Sequence, residues 1–319
     1  MSQEHPSTAP AQDDSNLDYS REAVRGAVVV GYDGSEHARR ALEWAIREAR
    51  LRDATLVPAV VVPLLAGYGV PELPNDTALA AAEQLLTEAA RTAREQQPRV
   101  RTTPIRVVGP PAQGLLQFTE DAQLMVVGSR GRGGAASMIL GSVSLRVAQR
   151  AACPAVVVPA RATLADHHRI VVGLDGSAQS KAALSFAISE AVLRQAAVLV
   201  VHSVADPYLS SGFVPPAPEI WQAREEAAAQ ILHEDLEPWR SKHPDVAITA
   251  TVTHEPAETA LAAQAAEADL LVVGTRGRGA FTGLFLGSVS HAALHTATVP
   301  VALLHAEPVP KRGGSAGVR

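Results

Sequence analysis

Residues 124–144 have the sequence LMVVGSRGRGGAASMILGSVS, and residues 270–290 have LLVVGTRGRGAFTGLFLGSVS, with 13 identities in 21 positions. A second matching pair lies upstream, VVGYDGS at 29–35 and VVGLDGS at 171–177. The offset is 142 residues from Gly31 to Gly173 and 146 from Gly128 to Gly274. A repeat of this length is a duplicated domain rather than a solenoid unit. We therefore place two domains at 26–160 and 168–305.

Each copy alternates short apolar runs with helical patterns, which is typical of parallel sheets buried on both faces. The sequence therefore predicts an α/β fold with two tandem doubly wound domains. Ser35 is expected to cap the helix that follows the first strand. The predicted strands lie near 27–31, 55–62, 105–108, 124–127 and 155–158 in the first copy, and near 170–173, 197–204, 247–252, 270–273 and 299–304 in the second.

Composition excludes several classes of protein. The 319 residues contain 28 Lys+Arg and 33 Asp+Glu, a net charge of −5 that argues against general binding to nucleic acid or an anionic membrane. No apolar run reaches the roughly 18 residues of a membrane helix, and the polar start lacks a signal peptide, so a cytoplasmic location is expected. The single cysteine, Cys153, excludes an intrachain disulfide framework. The segments 1–25 and 306–319 are expected to be poorly ordered tails.

The glycine-rich segments follow predicted strands, and ligands of open α/β sheets bind beyond the carboxyl ends of strands. Glycines spaced G-x2-G-x9-G let backbone N–H groups approach a bulky anion, and the following helix N-terminus adds a favourable partial charge. Serine hydroxyls and arginines nearby would also favour phosphate, so a nucleotide phosphate is the natural anion. The residues concerned are Gly128, Gly131, Gly141, Ser142, Ser144, Arg130 and Arg132, with Gly274, Gly277, Gly287, Ser288, Ser290, Arg276 and Arg278 in the second copy.

A structural interpretation of the same residues stays open. The glycines can form a tight connection between strand and helix, with the serines capping the helix, and duplication copies structural glycines too. Asp33 and Asp175 can hold a turn or cap a helix, or they can accept hydrogen bonds from ribose hydroxyls or an adenine amino group. If the nucleotide interpretation holds, Gly128→Val or Gly274→Val is expected to remove one site and leave the fold intact.

Other kinds of site are not predicted. The chain has neither a Walker A loop nor the G-x-G-x-x-G of a dinucleotide fold after the first strand. His291 and His295 are four residues apart but lack a third ligand, so no metal site is expected. Ser142 has no recognisable base nearby in sequence, and no catalytic residue is assigned.

Both copies resemble the ATP-binding branch of the universal stress protein family, as a tandem member over residues 26–305. The resemblance is carried by the four segments quoted above. It implies a five-stranded parallel sheet in each domain, with strand order 3-2-1-4-5 and helices on both faces. It also implies ATP with Mg²⁺ in each domain, and a regulatory output in the stress response through conformation or partner contact.

The resemblance also assigns site residues by position. Adenosine would approach Gly31, Asp33 and a strand-two residue near Val61 in the first copy, and Gly173, Asp175 and Val201 or His202 in the second. Ribose and phosphates would lie among Gly128, Ser129, Arg130, Gly131, Arg132, Gly133, Gly134, Gly141, Ser142, Val143 and Ser144, and among Gly274, Thr275, Arg276, Gly277, Arg278, Gly279, Ala280, Gly287, Ser288, Val289 and Ser290.

Two other functions stay open. An adenylyl-transferring enzyme on a related fold would need a signature such as HIGH or SGGxDS, and neither string occurs. A nucleotide-free interaction module would retain the glycine loops as structure only. Because no residue is positioned to activate water, at most slow ATP hydrolysis or autophosphorylation is expected. The expected partners are ATP, a second copy of the chain and a regulatory protein, and the halves are expected to pack through strands 155–158 and 299–304.

Overall fold

The computed structural model describes residues 21–67, 70–72, 75–132, 140–205, 218–277 and 286–306. The first half contains β1 Val28–Gly31, α1 Glu36–Leu51, β2 Leu56–Val62, β3 Leu65–Gly67, β4 Val70–Glu72, α2 Asp76–Gln96, β5 Ile105–Val108, α3 Pro111–Leu116, β6 Leu124–Gly128, α4 Ser142–Arg150 and β7 Ala155–Val158. The second half contains β8 Arg169–Gly173, α5 Ala178–Arg194, β9 Ala197–Ser203, α6 Pro218–Lys242, β10 Ile248–Thr253, α7 Ala257–Ala265, β11 Leu270–Gly274, α8 Ser288–Thr296 and β12 Val301–Leu304.

One ten-stranded sheet runs through both halves in the order β10-β9-β8-β11-β12-β7-β6-β1-β2-β5. Neighbouring strands within each half are parallel, and each half has the order 3-2-1-4-5. The predicted fold class is therefore confirmed. The sequence analysis did not predict the small antiparallel hairpin of β3 and β4.

The two halves join where β7 pairs with β12 in antiparallel orientation, with Val157 opposite Val301 and Ala155 opposite Leu303. The predicted packing through the last strands is therefore confirmed. Because strands within a half are parallel and this junction is antiparallel, the carboxyl ends of the two sets of strands lie at opposite edges of the sheet. Ligands that bind at the two carboxyl edges would therefore be separated by the length of the strands.

Helices cover both faces of the sheet. Residues of α1, α2, α5 and α6 pack in one apolar cluster, and residues of α3, α4, α7 and α8 pack in another on the opposite face. Every residue of β6 and β7 is buried, as expected for continuous Val- and Leu-rich strands between two helical layers. In the part of the chain that the structure describes, no helix is long and apolar enough to cross a membrane.

The predicted helix start after β1 is confirmed. The Ser35 hydroxyl accepts a hydrogen bond from the Ala38 N–H at 3.2 Å, and Ser177 accepts one from the Ser180 N–H at the same distance. Val24, inside the segment expected to be a tail, is fully buried in the core. The remainder of the predicted tails, 1–20 and 307–319, lies outside the described residues.

A cluster of four buried charges joins α1 to α5. Arg52 donates hydrogen bonds to Glu48 and Glu190, and Arg194 donates to the same two carboxylates. The side chains are 2 % exposed for both glutamates, 6 % for Arg52 and 10 % for Arg194. Two positive and two negative charges make the cluster neutral. Loss of one partner would leave an uncompensated charge in the interior, which is strongly destabilising.

We therefore expect Glu48→Gln to destabilise the protein by about 3–5 kcal/mol, because it leaves a net positive charge buried between the halves. Glu95→Gln is the matched control, since Glu95 pairs with Arg91 at the surface and both side chains are 60 % exposed. Its effect should stay within about 0.5 kcal/mol. Urea unfolding followed by circular dichroism measures both effects, and equal midpoints for the two variants would contradict the prediction.

Candidate functional site

Two cavities open at the carboxyl ends of the strands, one in each half. The first has a volume of about 680 Å³ and the second about 420 Å³, within the range of small-molecule sites. Each is lined by the loop after the first strand of its half, by the glycine loop after the fourth strand and by the start of the next helix. These loops meet because the first and fourth strands are neighbours in the sheet.

Most of the predicted site residues line these cavities. Ser129 and Thr275 are the exceptions among the described residues, since both are buried beside the cavities and do not line them. Gly133, Gly134, Arg278, Gly279 and Ala280 lie outside the described residues. The lining residues are Gly31, Asp33, Val61, Gly128, Arg130, Gly131, Arg132, Gly141, Ser142, Val143 and Ser144 in the first half, and Gly173, Asp175, Val201, Gly274, Arg276, Gly277, Gly287, Ser288, Val289 and Ser290 in the second.

The Asp33 carboxylate binds the two loops of the first half together. Its Oδ1 accepts a hydrogen bond from the Ser35 N–H at 3.0 Å, and its Oδ2 accepts one from the Arg132 N–H at 2.9 Å. A Cβ atom at Gly131 would lie 2.6 Å from the same Oδ2. Asp175 repeats the first contact, accepting from the Ser177 N–H at 2.9 Å. Asp33 and Asp175 therefore hold the turns after the first strands, which is one of the two roles that the sequence left open.

Gly128 and Gly274 pack against the beginnings of helices. A Cβ atom at Gly128 would lie 2.6 Å from the backbone C and O of His37, and one at Gly274 would lie 2.9 Å from the backbone C of Gln179. These contacts leave no room for a side chain. Contrary to the expectation from the sequence, we therefore predict that Gly128→Val and Gly274→Val destabilise the fold. By contrast, a Cβ atom at Gly141 would lie 3.4 Å or more from its neighbours.

The serines of each glycine segment have two different roles. The Ser144 hydroxyl donates to the Gly128 carbonyl at 2.6 Å, and the Ser290 hydroxyl donates to the Gly274 carbonyl at 2.8 Å. Both side chains are buried. Because Ser144 and Ser290 donate their hydroxyl protons to carbonyls of the glycine loops, these protons are not directed at a phosphate as predicted. Ser142 and Ser288 are exposed and line the cavities, so they retain the predicted position.

The helix that begins at each cavity has no side-chain cap. Gly141 precedes α4 and Gly287 precedes α8, and neither start has a capping hydrogen bond from a side chain. The first N–H groups of an α-helix lack partners within the helix and carry a partial positive charge. An anion in the cavity would satisfy them. Arg130 and Arg132 line the first cavity and Arg276 lines the second, which adds positive charge to both.

The first cavity is covered on one side by α2, whereas none of the described residues of α6 lines the second cavity. Four residues of α2 line the first cavity, Ala78, Ala81, Ala82 and Leu85, and the sequence analysis did not identify them. These residues lie in an alanine-rich stretch of the sequence. Such a stretch is typical of a buried helix face, but it does not indicate which part of the protein that face packs against. In the second half the missed lining residues are small or apolar side chains of other elements, including Ser180, Ser203, Ala257 and Leu261.

A hydrogen-bond network holds this cover in the first half. Tyr32 is 3 % exposed, and its hydroxyl donates to Glu88 Oε1 at 2.8 Å. The Arg39 Nε donates to the same oxygen at 3.1 Å. Burial, reinforced by the hydrogen bond with Glu88, raises the pKa of Tyr32 to about 12. The phenol therefore stays protonated at neutral pH and acts as the donor. The same hydrogen bond lowers the pKa of the Glu88 carboxyl.

Histidines lie close to the cavities without lining them. His37 Nδ1 is 2.8 Å from the Ser129 hydroxyl, and burial followed by the charge of Arg130 lowers the pKa of His37. His202 Nδ1 lies 2.6 Å from the Leu174 carbonyl. Of the two residues proposed at the second strand-two position, Val201 therefore lines the cavity and His202 does not. Within the described ranges, no three His, Cys, Asp or Glu side chains are grouped as metal ligands.

Comparison with known proteins gives one consistent family. The model of the Universal stress protein family matches residues 25–159 and 167–305. A universal stress protein of Mycolicibacterium smegmatis is 33% identical over 289 residues, covering 88% of this chain and 97% of that protein. One from Mycobacterium tuberculosis is 33% identical over 293 residues, covering 86% and 94%. The crystal structure of a universal stress protein from Archaeoglobus fulgidus has the same fold, with a TM-score of 0.60 at 18% identity over 88% of this chain and 98% of that one.

The glycine contacts predict different costs at two positions of one loop. Gly128→Ala should destabilise the protein by about 1–3 kcal/mol, because its Cβ would collide with the His37 backbone. Gly141→Ser should change stability by less than about 0.5 kcal/mol, because the site has room and serine caps helices well. Chemical denaturation of both variants measures the difference. Equal losses of stability would contradict this account of the loop.

Proposed function

Because the chain belongs to the universal stress protein family, we propose that it is a stress-response regulatory protein that binds one ATP in each half. One observation supports this most strongly. At each carboxyl edge of the sheet, an uncapped helix start, a glycine loop and an Asp-bearing loop converge on one cavity. This combination offers donors for phosphates and an acceptor for the nucleoside in the same space.

The nucleoside would lie on the apolar side of the first cavity, against Val61 and Leu115. Asp33 lines the same cavity, and each of its carboxylate oxygens already accepts one N–H. An ionised carboxylate oxygen has two acceptor positions. Asp33 therefore retains capacity for a ribose hydroxyl or the adenine amino group while it holds the loops together.

The triphosphate would lie at the start of α4 or α8, where the N–H groups, the Ser142 or Ser288 hydroxyl and the nearby arginines supply donors. Mg²⁺ is commonly held by one or two carboxylates together with substrate phosphates and water. Among the described residues, each cavity is lined by one carboxylate, Asp33 or Asp175, which fits that pattern. The ion would neutralise part of the phosphate charge.

The cavity lining favours binding over rapid hydrolysis. No His or Glu is among the described residues that line either cavity, so none of these offers a general base other than the two aspartates. Asp33 is already engaged by two backbone N–H groups. The output we propose is therefore a change in conformation or partner contact, with slow hydrolysis or autophosphorylation as a secondary activity.

The proposal predicts that Ser142→Asp and Ser288→Asp each remove one of two ATP sites. Both serines are exposed at the first helical position, where an acidic residue stabilises the helix, so folding should be preserved. The added carboxylate would repel the triphosphate and weaken binding at least a hundredfold, about 2.8 kcal/mol. Isothermal titration calorimetry with Mg-ATP should give two sites in the unchanged protein and one in each variant.

Ser142→Asn and Ser288→Asn are the matched controls, because asparagine has the shape of aspartate without its charge. Both should retain two sites. ATP at 100 times its dissociation constant should also stabilise the protein by about 2.7 kcal/mol. If millimolar ATP gives no heat of binding and no thermal stabilisation, the proposal is contradicted and an interaction module is favoured. Release of pyrophosphate in the presence of acceptors would favour adenylyl transfer instead.

A further inference from the structure

The helices next to the two cavities can be compared residue by residue. Helix α2 ends before Pro98, and α6 ends before Pro244. In the turn that follows each helix, a valine N–H, of Val100 or Val246, donates to the carbonyl three residues earlier at 3.0 Å. This alignment pairs α2 with α6 at an offset of 146 residues. It matches Ala82 with Ala228 and Leu86 with Leu232, and all four of these side chains are buried. The two helices therefore share one register against the sheet.

In this register, and within the described part of the chain, α2 lines its cavity and α6 does not. Leu85 lines the first cavity and packs against the core, whereas the matching Ile231 is 57 % exposed. A Cβ atom at Gly34 would lie 2.6 Å from Leu85 Cδ2, so α2 lies directly against the loop after β1. Of the described residues of α6, none lines the second cavity. The first cavity is also the larger of the two.

The two halves also differ in one side chain of the loop after the first strand, at Tyr32 and Leu174. In the first half the Tyr32 hydroxyl binds Glu88 on α2, and Arg39 on α1 binds the same oxygen. In the second half Leu174 replaces Tyr32 and has no donor. Glu234, which matches Glu88, is exposed and accepts a hydrogen bond from Gln230 of its own helix at 2.7 Å. The second half has the carboxylate without the hydroxyl that would hold its helix.

We infer that the two ATP sites have unequal affinities, with a high-affinity site against α2 in the first half and a low-affinity site in the second half, where no described residue of α6 lines the cavity. Tyr32 lines the first cavity, and it is the positioning residue because its hydroxyl holds α2 over the cavity through Glu88. A ligand under α2 buries more apolar surface, which favours binding. This inference rests on the proposed function, and it adds a division of roles between the halves.

Single-site proteins test the inference directly. Mg-ATP is titrated into full-length Ser288→Asp, which keeps the first site, and into Ser142→Asp, which keeps the second. The dissociation constant of the first should be at least tenfold lower. Adding Tyr32→Phe should raise the dissociation constant of the first site about tenfold, because a hydrogen bond to a charged acceptor is lost. The same substitution should leave the second site unchanged.

Glu83→Gln is the control on the same helix, since Glu83 binds Arg106 at 2.6 Å and does not line the cavity. It should change the affinity of the first site by less than about twofold. Hydrogen exchange in residues 76–96 gives a second measurement that needs no nucleotide. Tyr32→Phe should accelerate exchange of α2 in the ATP-free protein, and Glu83→Gln should not, although both remove one contact of the helix.

The outcomes separate the two proposals. Equal affinities of the single-site proteins, or a Tyr32→Phe effect that is absent or equal at both sites, would overturn the inference and leave the proposed function standing. Unchanged exchange of α2 in Tyr32→Phe would also overturn it. Failure of the unchanged protein and of both single-site proteins to bind ATP would overturn the proposed function, and the inference with it.

Discussion

In each half, the tight packing of a strand end against a helix start positions the loops around the cavity. At Gly128 and Gly274 the end of a strand lies against the first turn of a helix, with no space for a Cβ atom between them. This contact brings the glycine loop beside the loop after the first strand. Asp33 can then accept an N–H from each loop, and the cavity forms beyond them. The residues that make these packing contacts therefore lie next to the proposed ligand.

This arrangement divides the glycine motif into two parts. Gly128 is needed for packing, and Gly131 lies against the carboxylate that joins the loops. Ser144 binds a carbonyl within the loop. Gly141 has room around it, and Ser142 is exposed at the uncapped helix start. The case for a nucleotide therefore depends on the last few residues of the motif and on the helix N–H groups, while most of its earlier residues are explained by folding.

The internal repeat and the apolar runs were sufficient to predict two α/β domains and the meeting of the two loops, because these follow from chain order and burial. The strand order and the joining strands were predicted only from the resemblance to the universal stress protein family. The partner of a polar side chain was harder to predict. Tyr32 and Glu88 are 56 residues apart and meet only because α2 returns over the first loop. Glu48 and Arg194 meet only across the junction of the halves. Their signal was present in the repeat, since Glu48 and Arg52 align with Glu190 and Arg194 at the same spacing of four residues.

The buried charge cluster also bears on how the two halves of the chain can come to differ in sequence. Each half contributes one Glu and one Arg at matching positions, and each pair binds the other pair. A surface that recognises its own copy is the isologous contact of a two-fold dimer. Two separate, identical subunits could form the same contact with the same residues, but both would then carry the same residue beside the cavity. Covalent fusion removes that requirement, so one copy can keep a tyrosine where its twin has a leucine.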